Sequence, residues 1–184
     1  SKSPAIHAAF ARQTGQDLVY DRLLGDLADF AGDVRGFFDG GGRGLNVTLP
    51  FKEQAWRLAD ERGPGAASAG AVNTLIPLPD GRLRGENADG AGLVGDLGGN
   101  HGFVFAGRRV LLLGAGGAAR GLVRPLLETG ILQLLIANRT AERALALAAA
   151  LADTGLGRAQ MRGCCLDALA DPAHPPAAIG PGFD

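Results

Sequence analysis

Between a short apolar run, Val110 to Leu113, and a helical stretch reaching about Thr129 lies Gly114-Ala115-Gly116-Gly117-Ala118-Ala119. This G-x-G-x-x-A turn has the residue types that holding a pyrophosphate requires. The first glycine permits the tight turn, the second lets the backbone approach phosphate oxygens, and a small third residue lets helix and strand pack closely. The helix start then offers unpaired N–H groups and the positive end of its dipole to the anion. A second strand, Leu132 to Ala137, follows at the spacing of one strand-helix-strand unit, so a dinucleotide site over Gly114, Ala115, Gly116, Gly117 and Ala118 is expected. At the end of that second strand an acidic residue would hold a ribose 2'-hydroxyl. Here stand Asn138-Arg139-Thr140, with Arg143 one helical turn on. A guanidinium fork grips the oxygens of a 2'-phosphate, and Thr140 can cap the next helix while donating its hydroxyl, so NADP is expected in preference to NAD.

The basic residues are overwhelmingly arginine; only Lys2 and Lys52 are lysine. With 184 residues, 46% hydrophobic content and a formal charge of -1, the chain can bury one moderate core or two small ones. Charges of both signs are interspersed, which argues against tracking a nucleic-acid backbone. Apolar runs such as Ala144 to Ala152 are too short to cross a bilayer, no basic and apolar leader opens the chain, and a cytoplasmic location is expected. The adjacent Cys164 and Cys165 suit neither a C-x-x-C metal site nor a loop-closing disulfide and read as reduced core thiols. His7, His101 and His174 match no catalytic or metal spacing, and no metal is expected.

The elements that position these residues alternate between α and β. Ser3-Pro4 reads as a helix start with Ser3 as N-cap, closed by Gly15. Leu18 to Leu23 reads as a strand, about Asp26 to Phe38 as a helix, and Gly44 to Val47 as a short buried strand. A helix from Phe51, with Ala55, Trp56, Leu58 and Ala59 on one face, is expected to end at Gly63-Pro64-Gly65. Ala71 to Ile76 and Arg82 to Gly85 flank Pro79-Asp80-Gly81 as a hairpin. A helix is expected from Gly90 to about Leu97, and a linker from Gly98 to Gly107. The fold class is therefore α/β, with an N-terminal unit over residues 1–100 and a Rossmann-like unit over 101–184.

Ser1-Lys2-Ser3-Pro4, Asn46-Val47-Thr48-Leu49-Pro50-Phe51-Lys52, Ala71-Val72-Asn73-Thr74 and Gly85-Glu86-Asn87-Ala88-Asp89-Gly90, in that order and spacing, resemble the shikimate dehydrogenase family. The glycine turn and Asn138-Arg139-Thr140 extend the resemblance over nearly the whole chain. It implies a shikimate-binding catalytic domain followed by the first part of an NADP-binding domain. It also implies reversible reduction of 3-dehydroshikimate to shikimate with NADPH in the chorismate (aromatic amino acid) pathway. In that family the paired serines hold the substrate carboxylate, here Ser1 and Ser3. The threonine, lysine, asparagine and aspartate contact ring hydroxyls, here Thr48, Lys52, Asn73 and Asp89, and Lys52 with Asp89 is the implied catalytic pair. The chemistry of the residues agrees: hydride arriving at a carbonyl carbon leaves negative charge on oxygen, which a cation within hydrogen-bond reach stabilises. Which of the two moves the proton is open, because a coupled pair titrates as a unit.

Taken singly, Ser3 suits an N-cap, Thr48 a strand end, Asn73 a loop tie and Asp89 a helix cap. Where the family usually reads Asp-Asn-Thr-Asp-Gly, Ala88 stands in place of the threonine, a lost hydroxyl that bears on the tightness of substrate binding and leaves the chemistry. Family members usually carry a strand before the serines and further strands, a nicotinamide-side loop and a helix after this C-terminus, so truncation at both ends is expected. Two other readings remain: a quinate/shikimate dehydrogenase using NAD, and a non-catalytic module that binds shikimate or NADP. The expected partners are small molecules, with no nucleic acid and no membrane, in a monomer or homodimer.

Overall fold

A computed structural model describes residues 1–152 and 159–169; His174 and the expected strand start at Phe183-Asp184 lie outside the described residues. The chain is α/β, built around two sheets. Helix α1 spans Ser3–Thr14, α2 Phe30–Asp39, α3 Lys52–Leu58, α4 Pro64–Ala69 and α5 Asp89–Gly99. Between them run strands β1 (Leu45–Asn46), β2 (Glu61–Arg62), β3 (Thr74–Pro77) and β4 (Leu83–Glu86). Their order in the first sheet is β1-β3-β4-β2, with β3 antiparallel to β1 and β4, and β2 parallel to β4. The second sheet is all parallel, β5 (Arg109–Leu113), β6 (Gln133–Asn138) and β7 (Gln160–Cys165), joined by α6 (Gly117–Glu128) and α7 (Ala141–Ala152).

The β3–β4 hairpin forms where the Pro79-Asp80-Gly81 turn places it, with Thr74 opposite Glu86. β6 is buried from Gln133 to Ala137 because it lies between two parallel neighbours and under helices, which accounts for its nearly unbroken apolar run. Val123, Leu127, Leu134, Ile136 and Ala144 form the centre of this second core. A smaller core joins Val34, Ala55, Ala66, Val72 and Leu75 in the first half.

Four local expectations are corrected. Leu18 to Leu23 is irregular, with Val19 almost fully exposed and Leu23 exposed: an apolar run becomes a strand only when a neighbour takes up its N–H and C=O groups, and none of the described strands pairs with it. α2 begins at Phe30 because Asp29 accepts from the Gly32 N–H as N-cap, whereas Asp26 closes a separate turn onto the Ala28 N–H. Ser3 does not cap α1; the Lys2 carbonyl already accepts from the Ile6 N–H, so Ser3 lies inside the helix. Gly63-Pro64-Gly65 does not end α3, which stops at Leu58 as Ala59 turns extended. Instead Pro64 opens α4, where its fixed φ and missing N–H suit a first turn. Two smaller adjustments concern β1, which is only two residues long and half-buried to exposed, and the thiols of Cys164 and Cys165, which are free but half-buried on β7 at the end of its sheet.

The two halves meet where α5 and α4 pack on α6. A Cβ at Gly90 would stand 2.2 Å from the Gly121 carbonyl oxygen and 2.8 Å from Pro125, so the first turn of α5 touches the α6 backbone through a glycine. Gly92, two residues on, faces open space. Gly90→Ala is expected to destabilise by about 1–3 kcal/mol through this clash, whereas Gly92→Ala is expected to stabilise by about 0.5–1 kcal/mol through helix propensity. Thermal unfolding of both variants checks this; equal shifts in the two would remove the contact's claim on stability.

Candidate active site

Three chain segments converge at the open end of the β3–β4 hairpin. Lys52 is the first residue of α3 and Asp89 the first of α5. Asn73 immediately precedes β3. Backbone bonds fix all three: Val72 N–H donates to the Lys52 carbonyl (2.9 Å), Asn73 N–H to Glu86 (2.9 Å) and Val47 N–H to the Asn73 carbonyl (2.7 Å). The Asn87 side chain completes the frame, donating to the Ala71 carbonyl (3.0 Å) and accepting from the Asp89 N–H (3.1 Å).

On that frame the Lys52 ammonium lies 2.6 Å from Asp89 Oδ2, and the Asn73 amide Nδ2 donates to Asp89 Oδ1 at 2.8 Å. Both carboxylate oxygens are thus engaged, yet the pair is open to a ligand, with 25% of the lysine and 41% of the aspartate side chain exposed. Partial burial pushes the Asp89 carboxyl up, but the hydrogen bonds from Lys52 and Asn73, with the lysine's charge, outweigh it and hold the group below the usual carboxylate range. The first turn of the eleven-residue α5 also favours a negative charge there. An ammonium retains further N–H donors after one is used, so Lys52 can reach a ligand oxygen while still paired.

Asn73 is itself held. Its Oδ1 accepts from the Thr74 hydroxyl (2.9 Å) and from the Ala88 N–H (3.2 Å). Thr74 in turn accepts from Asn46 Nδ2 (3.2 Å), and Asn46 Oδ1 from the Tyr20 hydroxyl (3.0 Å). The Tyr20 ring stacks on His7, centroids 3.9 Å apart, and the His7 Nδ1 bonds the Ser3 carbonyl (2.9 Å). Ser1 and Ser3 stand together, hydroxyl to hydroxyl at 2.8 Å. The serine pair and the Lys52–Asp89 pair are therefore linked through His7, Tyr20, Asn46, Thr74 and Asn73 rather than by direct contact. Thr48 is exposed, its carbonyl accepting from the Phe51 N–H (2.9 Å), and its hydroxyl has no bond among the described residues. Sequence reasoning left His7 as incidental and gave Tyr20 and Asn46 no role. The signal lay in Tyr20 being the only tyrosine and in a polar residue, Asn46, closing a very short strand.

The glycine turn leads from β5 into α6 as the pattern requires. Gly114 has φ 110, a conformation that favours glycine, and its N–H donates to the Ala137 carbonyl at 2.7 Å. Ala115 and Ala119 are buried, Gly116 is the N-cap with no side-chain bond across the α6 start, and the space beside Gly114 and Gly116 is open. That leaves the first-turn N–H groups, near Gly117 and the exposed Ala118, facing outward for an anion. At the end of β6, Asn138 Nδ2 donates to the Thr140 carbonyl (2.9 Å), shaping the turn. Arg139, Thr140 and Arg143 are exposed, and no ion pair or side-chain bond holds either arginine among the described residues. Thr140 contributes its carbonyl to the Arg143 N–H (3.2 Å) in place of a hydroxyl cap. This donor set fits a dinucleotide carrying a 2'-phosphate. The first two turns of α6 lie against the frame that holds the Lys52–Asp89 pair: a Cβ at Gly117 would stand 3.9 Å from Ala71, and one at Gly121 3.7 Å from Asn87. No helix among the described residues is long and apolar enough to cross a membrane.

Residues 1–75 match the family model described as shikimate dehydrogenase substrate binding domain, and residues 99–163 match that described as shikimate / quinate 5-dehydrogenase. A shikimate dehydrogenase (NADP(+)) of Alkalilimnicola ehrlichii is 56% identical over 155 residues, 84% of this chain and 57% of that protein. The chain thus spans little more than half of that relative. Among solved structures, an Ael1 enzyme from Pseudomonas putida superposes with a TM-score of 0.84 at 44% identity, covering 94% of this chain and 61% of that one. A shikimate 5-dehydrogenase from Thermus thermophilus, in complex with NADP(H) and shikimate, gives a TM-score of 0.74 at 37% identity over 86% of this chain and 57% of that one.

The Asp89 geometry carries a sign in pH. A carboxyl held below its ordinary range stabilises the fold fully above about pH 4 and loses that contribution as pH falls through the lowered folded value. Because the group is partly exposed, the contribution is at most about 1 kcal/mol. An NMR titration of the Asp89 side-chain carbon is expected to show a midpoint below about 3.9, moving up in Lys52→Ala; a midpoint at or above that value in the wild type contradicts the pairing.

Proposed function

We propose, for a chain that belongs to the shikimate dehydrogenase family, that it holds shikimate at the Lys52–Asp89 pair and NADP at the glycine turn, and takes part in the reversible NADPH-dependent reduction of 3-dehydroshikimate to shikimate. The observation that carries this reading is the 2.6 Å contact of an ammonium and a carboxylate on the frame that packs against the phosphate-binding turn.

Ser1 and Ser3 hold the substrate carboxylate through their adjacent hydroxyls, and Thr48 and Asn73 take ring hydroxyls, orienting the carbonyl toward Lys52. NADPH, when bound, supplies the hydride. As charge develops on the carbonyl oxygen, the Lys52 ammonium stabilises it and the Lys52–Asp89 pair delivers the proton; in the reverse direction the pair withdraws it. Asp89 keeps the ammonium aimed, and its own orientation is kept by Asn73 and by the first turn of α5. The pair shares the proton as a unit. Gly114, Ala115, Gly116, Gly117 and Ala118 hold the pyrophosphate through backbone N–H groups, and Asn138, Arg139, Thr140 and Arg143 hold the 2'-phosphate.

Lys52→Ala is expected to lower the rate of shikimate oxidation by about 10²–10⁴-fold while NADP affinity, measured by calorimetry, stays within about twofold. Arg139→Ala is expected to weaken NADP about tenfold or more, the size of a charge-assisted hydrogen bond, and to leave NAD binding as it was. Retained turnover in Lys52→Ala, or faster turnover of quinate with NAD than of shikimate with NADP, would overturn the reading.

A further inference from the structure

The side-chain amide of Asn73 has two ends of nearly equal shape, and only the N–H end can hold a carboxylate. Which end faces Asp89 is decided by what bonds the other. The Ala88 N–H, a backbone donor that cannot reverse, points at Asn73 Oδ1 (3.2 Å), so that atom is the acceptor. The Thr74 hydroxyl, 2.9 Å from the same oxygen, must then donate to it. A hydroxyl has one proton, so Thr74 Oγ1 is left to accept, which it does from Asn46 Nδ2. That fixes Asn46 in turn, whose Oδ1 accepts from the Tyr20 hydroxyl. One backbone donor thus sets the polarity of four successive side-chain hydrogen bonds, every one directed from Tyr20 toward Asp89.

Of the relay residues outside the proposed substrate contacts, Thr74 stands next to the amide that meets the carboxylate. It is half-buried, as is Asn73, whereas Asn46 is exposed. Its hydroxyl supplies the second of the two donors on Asn73 Oδ1, and two donors fix the plane of an amide that one would leave free to rock. We infer that Thr74 is a positioning residue for the Lys52–Asp89 pair: its hydroxyl locks the Asn73 amide with Nδ2 on Asp89, and Asn46 and Tyr20 hold that hydroxyl as a donor. The inference rests on the proposed shikimate chemistry for its kinetic consequence, and on the hydrogen-bond geometry alone for its structural one.

Thr74→Val keeps the shape and removes the donor, Thr74→Ala removes donor and bulk, and Thr74→Ser keeps the hydroxyl. Removing the donor is expected to lower kcat for shikimate oxidation about fivefold, the factor one hydrogen bond carries, with a smaller change in KM, and Thr74→Ser is expected to restore most of the rate. In the ligand-free protein the Asn73 side-chain NH2 resonances are expected to shift or broaden in the valine and alanine variants and to stay near their wild-type positions in the serine variant. Unchanged kcat in the valine and alanine variants, or a loss that serine does not restore, overturns the positioning role, as do Asn73 resonances indifferent to all three changes. A wild-type protein that binds but does not turn over shikimate refutes the proposed activity instead, and the amide resonances then decide the positioning role by themselves.

Discussion

An ammonium and a carboxylate 37 positions apart in the chain meet at 2.6 Å, and the arrangement of the first sheet exists in the form that lets them. Lys52 and Asp89 each begin a helix. A cation in a helix's first turn gains nothing from the backbone dipole, whereas an anion there does, so the lysine's place is explained by its partner rather than by its own helix. Neither residue reaches the other through local structure. The α3 start is tied to Val72, Val72 leads into Asn73 and β3, and β3 pairs with β4, whose end delivers Asp89. The hairpin is the ruler that sets the distance; at its open end Asn73 holds the Asp89 carboxylate and Asn87 the Asp89 backbone N–H.

The segment that carries this carboxylate is joined to α6, the helix after the glycine turn, by packing rather than by polar contact. Gly90 follows Asp89 and lies against the Gly121 carbonyl, so the residue that lets α5 and α6 approach is the neighbour of the residue that meets the lysine. Ala71, which accepts the Asn87 amide at its carbonyl, lies beside Gly117 at the α6 start. Small residues on both surfaces let the start of α6 approach the frame that holds the ion pair, and the close approach leaves little room for either to shift alone.

Much of this could be read from the residues beforehand. The strand, glycine turn, helix and strand between Arg109 and Asn138 declare themselves because each signal is local: an apolar run, a glycine that adopts positive φ, a 3.6-residue period. The Pro79-Asp80-Gly81 hairpin is legible for the same reason. Leu18 to Leu23 misleads because a strand is defined by a neighbour that composition does not reveal, and Gly63-Pro64-Gly65 misleads because proline opens a helix as readily as it follows one. Lys52 and Asp89 could be paired beforehand only through the order and spacing of several short motifs; nothing in the stretch between them, 37 positions from one to the other, says that two helix starts will touch. The bonds of Tyr20, Asn46 and Thr74 were illegible because they depend on which way side chains point once the sheet has formed.

The measurement that bears most directly on the whole account is a crystal structure of the protein with shikimate and NADP bound. The account predicts one ring hydroxyl within about 2.6–3.2 Å of both the Lys52 ammonium and the Asp89 carboxylate, on the face turned toward the Gly114 to Ala118 turn. Shikimate seated away from that pair, or seated between a Lys52 and an Asp89 that face opposite walls, would contradict it.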